Sequence, residues 1–224
     1  MVIFMEFLDQ QLKYENCQYA DRLLKKLSQL NQQVSSPIDI EEIKKGICYA
    51  KKYHGGQMRQ SGTPYYSHPI EVAYMVAEYT AQEMPELFRT DMIITSLLHD
   101  TIEDTILTEN IIAKVFGTQI ASQVVDLTRI KSYGKISSAE TLNLLYSQKK
   151  DDVLLIKLFD RLHNMQTIGY KSPEKINKIV DETVQSFLAV CIYFGYIKLE
   201  EYLFKLCCNS TSVGYNTNEL EITY

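Results

Sequence analysis

Residues 91–105 read DMIITSLLHDTIEDT. The run up to Leu98 has the makings of an apolar helix. Directly behind it stand His99, Asp100, Glu103 and Asp104, four ionisable groups within six residues. Charged groups set against an apolar helix end need a chemical reason.

Outward from this stretch the chain reads as helix after helix. Segment 8–33 carries Leu12, Leu23, Leu24, Leu27 and Leu30 at three- and four-residue steps, the spacing of an amphipathic helix. SSPID at 35–39 breaks it, and Asp39 with Glu42 has the form of a capping box opening a helix that runs to about 53. Residues 54–66, HGGQMRQSGTPYY, are turn formers and predict a loop. Helices follow from His68 to about Gln82 and from Asp91 to Asp100, and two short ones at 108–116 and 118–127 flank Gly117. Residues 129–137 form a basic, glycine-containing loop, Ser138 opens a helix, and KDDVLLIKLFDRLHNM at 150–165 is strongly periodic. Ser172-Pro173-Glu174 is a helix start, with proline placed where its missing N–H costs nothing. That helix should run to about Phe194, where Gly195 can end it, and a last one should span 199–207. No β-alternation stands out, so the fold class is all-α.

Composition narrows the function. The chain has 224 residues, 46% of them hydrophobic, and a formal charge of −5. Such a surface does not suit nucleic acid, although a small anion needs only a local basic pocket. The cysteines at 17, 48, 191, 207 and 208 are odd in number with no CxxC spacing, which points to a reducing, cytoplasmic setting. The N-terminus MVIFMEFLDQQ lacks the basic flank of a signal peptide. The longest apolar stretch, FLAVCIYFGYI at 187–197, is too short to span a bilayer, so no membrane partner is expected.

Candidate chemistry sits at helix ends. His99 and Asp100 close one apolar helix, Asp160 lies near the end of another, and His68 opens a third after the Gly/Pro loop. Two imidazoles and two carboxylates from three segments suit one divalent cation inside a helical bundle. Neighbouring helix positions point about 100° apart, so His99 and Asp100 reach one ion only if it sits above the helix end. Four mixed N/O ligands leave a six-coordinate ion with open positions, which favours Mn²⁺ or Fe²⁺ over Zn²⁺ in the absence of thiolates. Glu103 and Asp104 are placed to accept a proton from, or orient, an attacking water; solvation in a polar turn is the plainer alternative. Arg59 lies in the loop, where a guanidinium can fork onto phosphate or stack on a base. Asn164 shares a helical face with Asp160, while Lys157 and Arg161 supply positive potential or salt bridges. His54 and His163 read as packing residues or as neighbours of the ligands.

Together, HGGQMRQSGTPYYSHPIEVA, LLHDTIEDT, FGTQIASQVVDLT and LIKLFDRLHNMQT resemble the HD-domain hydrolase of the RelA/SpoT family, over roughly residues 40–206. The resemblance implies an all-α HD-domain bundle of roughly nine to eleven helices. It implies a division into an N-terminal helical extension (1–38), the phosphohydrolase domain (39–208) and a loosely ordered tail (209–224). By the same resemblance His68, His99, Asp100 and Asp160 match the metal ligands, usually manganese, and Glu103 and Asp104 the acidic pair that handles the attacking water. Arg59 matches the arginine on the guanine base, and Asn164 and Thr167 match positions lining the nucleotide.

The implied reaction is hydrolysis of the alarmone (p)ppGpp at its 3′-diphosphate, giving pyrophosphate and GDP or GTP. Alternatives are an HD phosphohydrolase acting on another phosphorylated nucleotide and a binding module with weak turnover. Three departures from the family stand out. The chain ends before any nucleotidyltransferase domain, so synthesis of alarmone is not expected. Gln60 replaces a basic residue and removes one phosphate contact. The run VQSFLAVCIYFGYIK after 180 diverges from the longer members.

Overall fold

The computed structural model describes residues 17–131 and 134–212, and among these the secondary structure is almost entirely helical. Two compact units meet in the sequence at Asp160 and Arg161. The proposed start of the first helix at residue 8 and the segment 213–224 lie outside the described residues.

The first unit is built around the apolar run read above. Helices α1 (Gln18–Asn31), α2 (Ile40–His54) and α3 (Ser67–Glu83) precede α4 (Thr90–Leu98). Every residue of α4 from Met92 to Leu98 is buried. A helix apolar on all sides must be enclosed, and α2, α3 and α7 (Thr118–Leu127) all pack against it. The crossing with α2 is close because position 46 is glycine: a Cβ there would lie 3.2 Å from the Leu97 side chain. The apolar face of α1, Ala20, Leu23, Leu27 and Leu30, is buried, and α1 packs on α3. The described part of the N-terminal extension is thus built into this unit. Pairs of Arg22 with Glu71 and Lys26 with Glu78 tie α1 to α3; partly exposed as they are, each adds at most about 1 kcal/mol.

Side-chain caps set several helix starts. Asp39 accepts from the N–H groups of Glu41 and Glu42, which satisfies donors that the first helical turn leaves unpaired. Leu98 ends α4 and Asp100 precedes the single turn α5 (Thr101–Asp104). Thr108 caps α6 (Glu109–Phe116), and Gly117 joins it to α7 at φ 93°, a conformation that favours glycine. The basic loop is in fact a minimal hairpin, β1 (Ile130–Lys131) against β2 (Gly134–Lys135), too short for any alternation to register in sequence. Helix α8 (Ser138–Ser147) opens at Ser138 as expected, with Ser137 before it forming a capping box with Glu140. Helix α9 (Asp151–Gln166) follows, its residues Val153–Ile156 and Leu158–Phe159 buried, with Phe159 against Tyr79 of α3 at 5.5 Å. A polar chain threads the core: Thr95 Oγ1 donates to Gln123 Oε1, and Gln123 Nε2 to Asp152 Oδ2, at 2.8 and 2.7 Å.

In the second unit, α10 (Pro173–Glu182) is followed by a π-helical turn at Thr183–Phe187, then α11 (Leu188–Tyr193) and α12 (Ile197–Ser212). The single helix expected over 173–194 is therefore interrupted. At the interruption Arg161 stacks on the buried Phe187 ring at 4.3 Å and binds Glu182 at 2.8 Å, while Thr183 Oγ1 donates to the Ile179 carbonyl. Gly195, at φ 69°, closes the segment as expected. The last helix continues past the anticipated 207 to Ser212, so 209–212 are helical rather than tail.

Leu97→Ala removes a fully buried side chain at the centre of the first unit. It should lower the unfolding free energy by about 3 kcal/mol, measured by urea denaturation followed by circular dichroism.

Candidate metal centre and active site

The end of α4 delivers His99, the start of α3 delivers His68, and the middle of α9 delivers Asp160. One ligand atom from each lies within 4.8 Å of the others, all three residues being buried. Asp160 Oδ1 is 3.2 Å from His68 Nε2 and 3.8 Å from His99 Nε2. Asp100 Oδ2 is 3.2 Å from His99 Nε2 and 3.6 Å from His68 Nε2. The structure therefore brings all four expected ligands together.

These atoms fit a cation. His99 Nδ1 lies 2.7 Å from the Ser96 carbonyl oxygen. A carbonyl only accepts, so Nδ1 carries a proton, and in the neutral ring Nε2 presents a lone pair. That Nε2 is buried and makes no hydrogen bond of acceptable geometry, although Asp100 stands close by. Lone pairs of imidazole and carboxylate facing each other in a buried space repel unless a positive charge lies between them. Burial disfavours charge on His99, yet Asp100 and Asp160 outweigh it and push its pKa up to about 10. At His68 burial prevails and lowers the pKa. The pair divides the demand unequally, and the centre as a whole calls for positive charge. Burial works against ionised Asp160 and Asp100 too, but Lys157 with the histidines for the former, and His99 for the latter, hold both carboxyls below their usual range. Lys157 Nζ donates to Asp160 Oδ2 at 2.9 Å, which leaves Oδ1 turned to the histidines. Lys157 and Arg161 are thus salt-bridging residues.

The acidic pair is restrained from two sides. Tyr65 Oη is 2.7 Å from Asp104 Oδ2 and 3.0 Å from Asp100 Oδ2; burial and these carboxylates raise its pKa far above the ordinary value. Gln57 Nε2 donates to the Asp104 carbonyl at 2.9 Å and its Oε1 meets His54 Nδ1 at 3.0 Å, while the His54 ring stacks on Tyr65. His54 is accordingly a packing residue beside the ligands. Glu103 Oε1 accepts from Arg129 Nη2 at 2.8 Å and Lys135 Nζ at 2.9 Å, and Oε2 from the Arg129 N–H at 3.1 Å. Despite half-burial, Lys135 and Arg129 lower its pKa.

Arg59 sits in a tight loop closed by its N–H to the Thr63 carbonyl and by the Met58–Pro64 bridge. Burial lowers its pKa, while Tyr65, Asp160 and Asp100 act on it in the opposite sense, so it stands in the field of the centre. Asn164 lies one turn beyond Asp160 in α9, and Thr167, whose Oγ1 donates to the His163 carbonyl, follows the helix. Both belong to the second unit. Tyr65, Arg129 and Lys135 were not singled out from sequence. The only signals were the tyrosine three residues before His68 and the basic character of 129–137.

Residues 47–189 match the HD domain family, and the chain belongs to that family. It is 37% identical over 173 residues to a GTP pyrophosphokinase of Myxococcus xanthus, covering 72% of this chain and 22% of that protein. It is 31% identical over 194 residues to a guanosine-3′,5′-bis(diphosphate) 3′-pyrophosphohydrolase of Spiroplasma citri, covering 84% of this chain and 24% of that one. A protein of the same name from Aquifex aeolicus is 37% identical over 176 residues, covering 75% and 24%. The chain thus spans about a quarter of the length of these relatives. Among solved structures, one described as a metazoan ortholog of SpoT that hydrolyzes ppGpp aligns with TM-score 0.56 and 23% identity, over 75% of this chain and 94% of that one. It supports the helical fold. Among the described residues no helix is long and apolar enough to cross a membrane.

In the metal-free protein Asp100 and Asp160 favour a second proton on His99, at the Nε2 that a metal would take. Binding of a divalent ion should release it, read by calorimetry in buffers of differing ionisation enthalpy, and affinity should fall as pH falls. His99→Ala should lose both the binding heat and the proton release.

Proposed function

We propose that the chain hydrolyses (p)ppGpp at the 3′-diphosphate, releasing pyrophosphate and GDP or GTP, with one Mn²⁺ held by His68, His99, Asp100 and Asp160. The observation that carries this reading is the buried convergence of His68, His99 and Asp160, with the Asp100 carboxylate beside them and the His99 Nε2 facing both carboxylates. A nitrogen–oxygen donor set without thiolate favours Mn²⁺ or Fe²⁺ over zinc, and the resemblance to the RelA/SpoT hydrolases supports Mn²⁺ between the two. The names of the Spiroplasma and Aquifex relatives supply the substrate class. The five free cysteines suit a cytoplasmic setting.

When bound, a divalent ion supplies Lewis acidity towards phosphoryl oxygen and eases deprotonation of water. The chain's own residues do the rest. Asp104, fixed by Tyr65, and Glu103, fixed by the hairpin, face the attack as proton acceptors or orienters. Arg59 packs on the guanine base, and Asn164 and Thr167 line the nucleotide. The positive charge of Arg129 and Lys135 offsets that of the four carboxylates where an anionic substrate must approach. Neither nucleic acid nor a membrane is a partner in this reading.

Purified protein should release pyrophosphate and GDP from ppGpp with Mn²⁺ and lose that activity in a chelator. Tight ppGpp binding without release would support a binding module instead, and neither release nor binding would send the site to another phosphate ester. Asp100→Ala should lose both metal and turnover. Glu103→Ala should keep metal while turnover drops about a hundredfold or more, assayed by metal analysis and pyrophosphate release.

A further inference from the structure

Glu103 stands where a carboxylate should accept from water, yet both its oxygens are already engaged. Oε1 takes two cations, Arg129 Nη2 and Lys135 Nζ, and Oε2 takes the Arg129 backbone N–H. All three donors come from one hairpin, whose root is closed by the Ile136 N–H on the Arg129 carbonyl at 2.9 Å. The side chains are graded in exposure: Glu103 10%, Arg129 35%, Lys135 58%. An anion arriving from solvent therefore meets the lysine first, the arginine second and the carboxylate last. Arg129 also lies in the field of Asp100 and Asp160, so this end of the hairpin borders the metal centre.

A diphosphate group carries more charge and more acceptor oxygens than one carboxylate, and Lys135, the more exposed cation, is the freer to turn. We propose that an incoming diphosphate and Glu103 compete for the same two cations, so that binding moves Lys135 and the Arg129 guanidinium onto phosphate oxygens and leaves Oε1 open to water. The anion in this inference is taken from the reaction proposed above. Glu103 stays anchored through the Arg129 N–H, which does not move with the side chains. Arg129 and Lys135 are positioning residues for Glu103 and binding residues for the diphosphate, one role replacing the other. Before substrate binds, the paired Glu103 is a poor acceptor, and its engagement with water is coupled to occupancy of the site.

The exchange is tested on the full, Mn²⁺-loaded chain by calorimetric titration with inorganic pyrophosphate at one ionic strength. Glu103→Gln frees both cations and should tighten binding roughly tenfold, and Lys135→Ala should weaken it by a similar factor. In the Lys135→Ala background, Glu103→Gln should gain only roughly threefold, because one of the two contested cations is gone and Arg129 alone remains to be freed. Lys135→Arg, which keeps the charge, should stay near wild type and shows that a loss in Lys135→Ala is not unfolding. Unchanged or weaker binding by Glu103→Gln would overturn the exchange and leave the pair as a hairpin anchor. So would a full tenfold gain without Lys135, since that is simple removal of repulsion, and so would the absence of pyrophosphate binding in wild type and Glu103→Gln alike. Release of pyrophosphate from ppGpp is read separately. A chain with the calorimetric pattern and no hydrolysis keeps the exchange and loses the proposed reaction; the converse pattern loses only the exchange.

Discussion

The hydrogen bond between His99 Nδ1 and the Ser96 carbonyl, 2.7 Å long and buried, sets the chemistry of the centre. It decides which nitrogen keeps the proton, and so turns the Nε2 lone pair towards Asp100 and Asp160. Ser96 lies in the last turn of α4, which stops at Leu98, and the carbonyls of a helix's last turn are the ones free to take a side-chain donor. The same buried helix end thus provides an acceptor for one face of the imidazole and a site for a cation at the other. A helix that ran on through Asp100 would satisfy the carbonyl and lose the arrangement. Full enclosure of α4 by α2, α3 and α7 holds this end still.

Around that point the two carboxylates of the acidic pair are treated differently. Asp104 is tied inward, to Tyr65 and through its backbone to Gln57. Glu103 is tied outward, to a hairpin whose cations are partly in water. Neighbours in sequence, they answer to different parts of the molecule. Rigid support on one side and exchangeable support on the other suit the proposed reaction, which would need ligands held firmly while a highly charged substrate enters.

Much of the fold could be read from local requirements. Asp39, Gly117 and Ser172-Pro173 mark boundaries because unpaired amides and positive φ are met within a few residues. The apolar residues of 92–98 announced a buried helix, and the two histidines and two aspartates expected near helix ends do come together, although Asp160 reaches the centre from the middle of its helix. What could not be read depends on distant partners. Glu103 finds its cations 26 residues and more away, and nothing near LLHDTIEDT indicates them. The hairpin is two residues per strand, below any periodic signal. The π-turn rests on Arg161, Phe187 and Glu182, which meet only in the folded second unit. Tyr65 looked like part of a loop until its hydroxyl was seen between two carboxylates.

That hydroxyl owns one hydrogen and faces two acceptors, Asp104 at 2.7 Å and Asp100 at 3.0 Å. A cation drawing on the lone pairs of Asp100 would make it the weaker acceptor, and the hydrogen would then settle on Asp104. Loading of the centre would thereby be recorded a few ångströms away as the orientation of a single O–H bond, and the carboxylate that would receive it is Asp104, neighbour of Glu103.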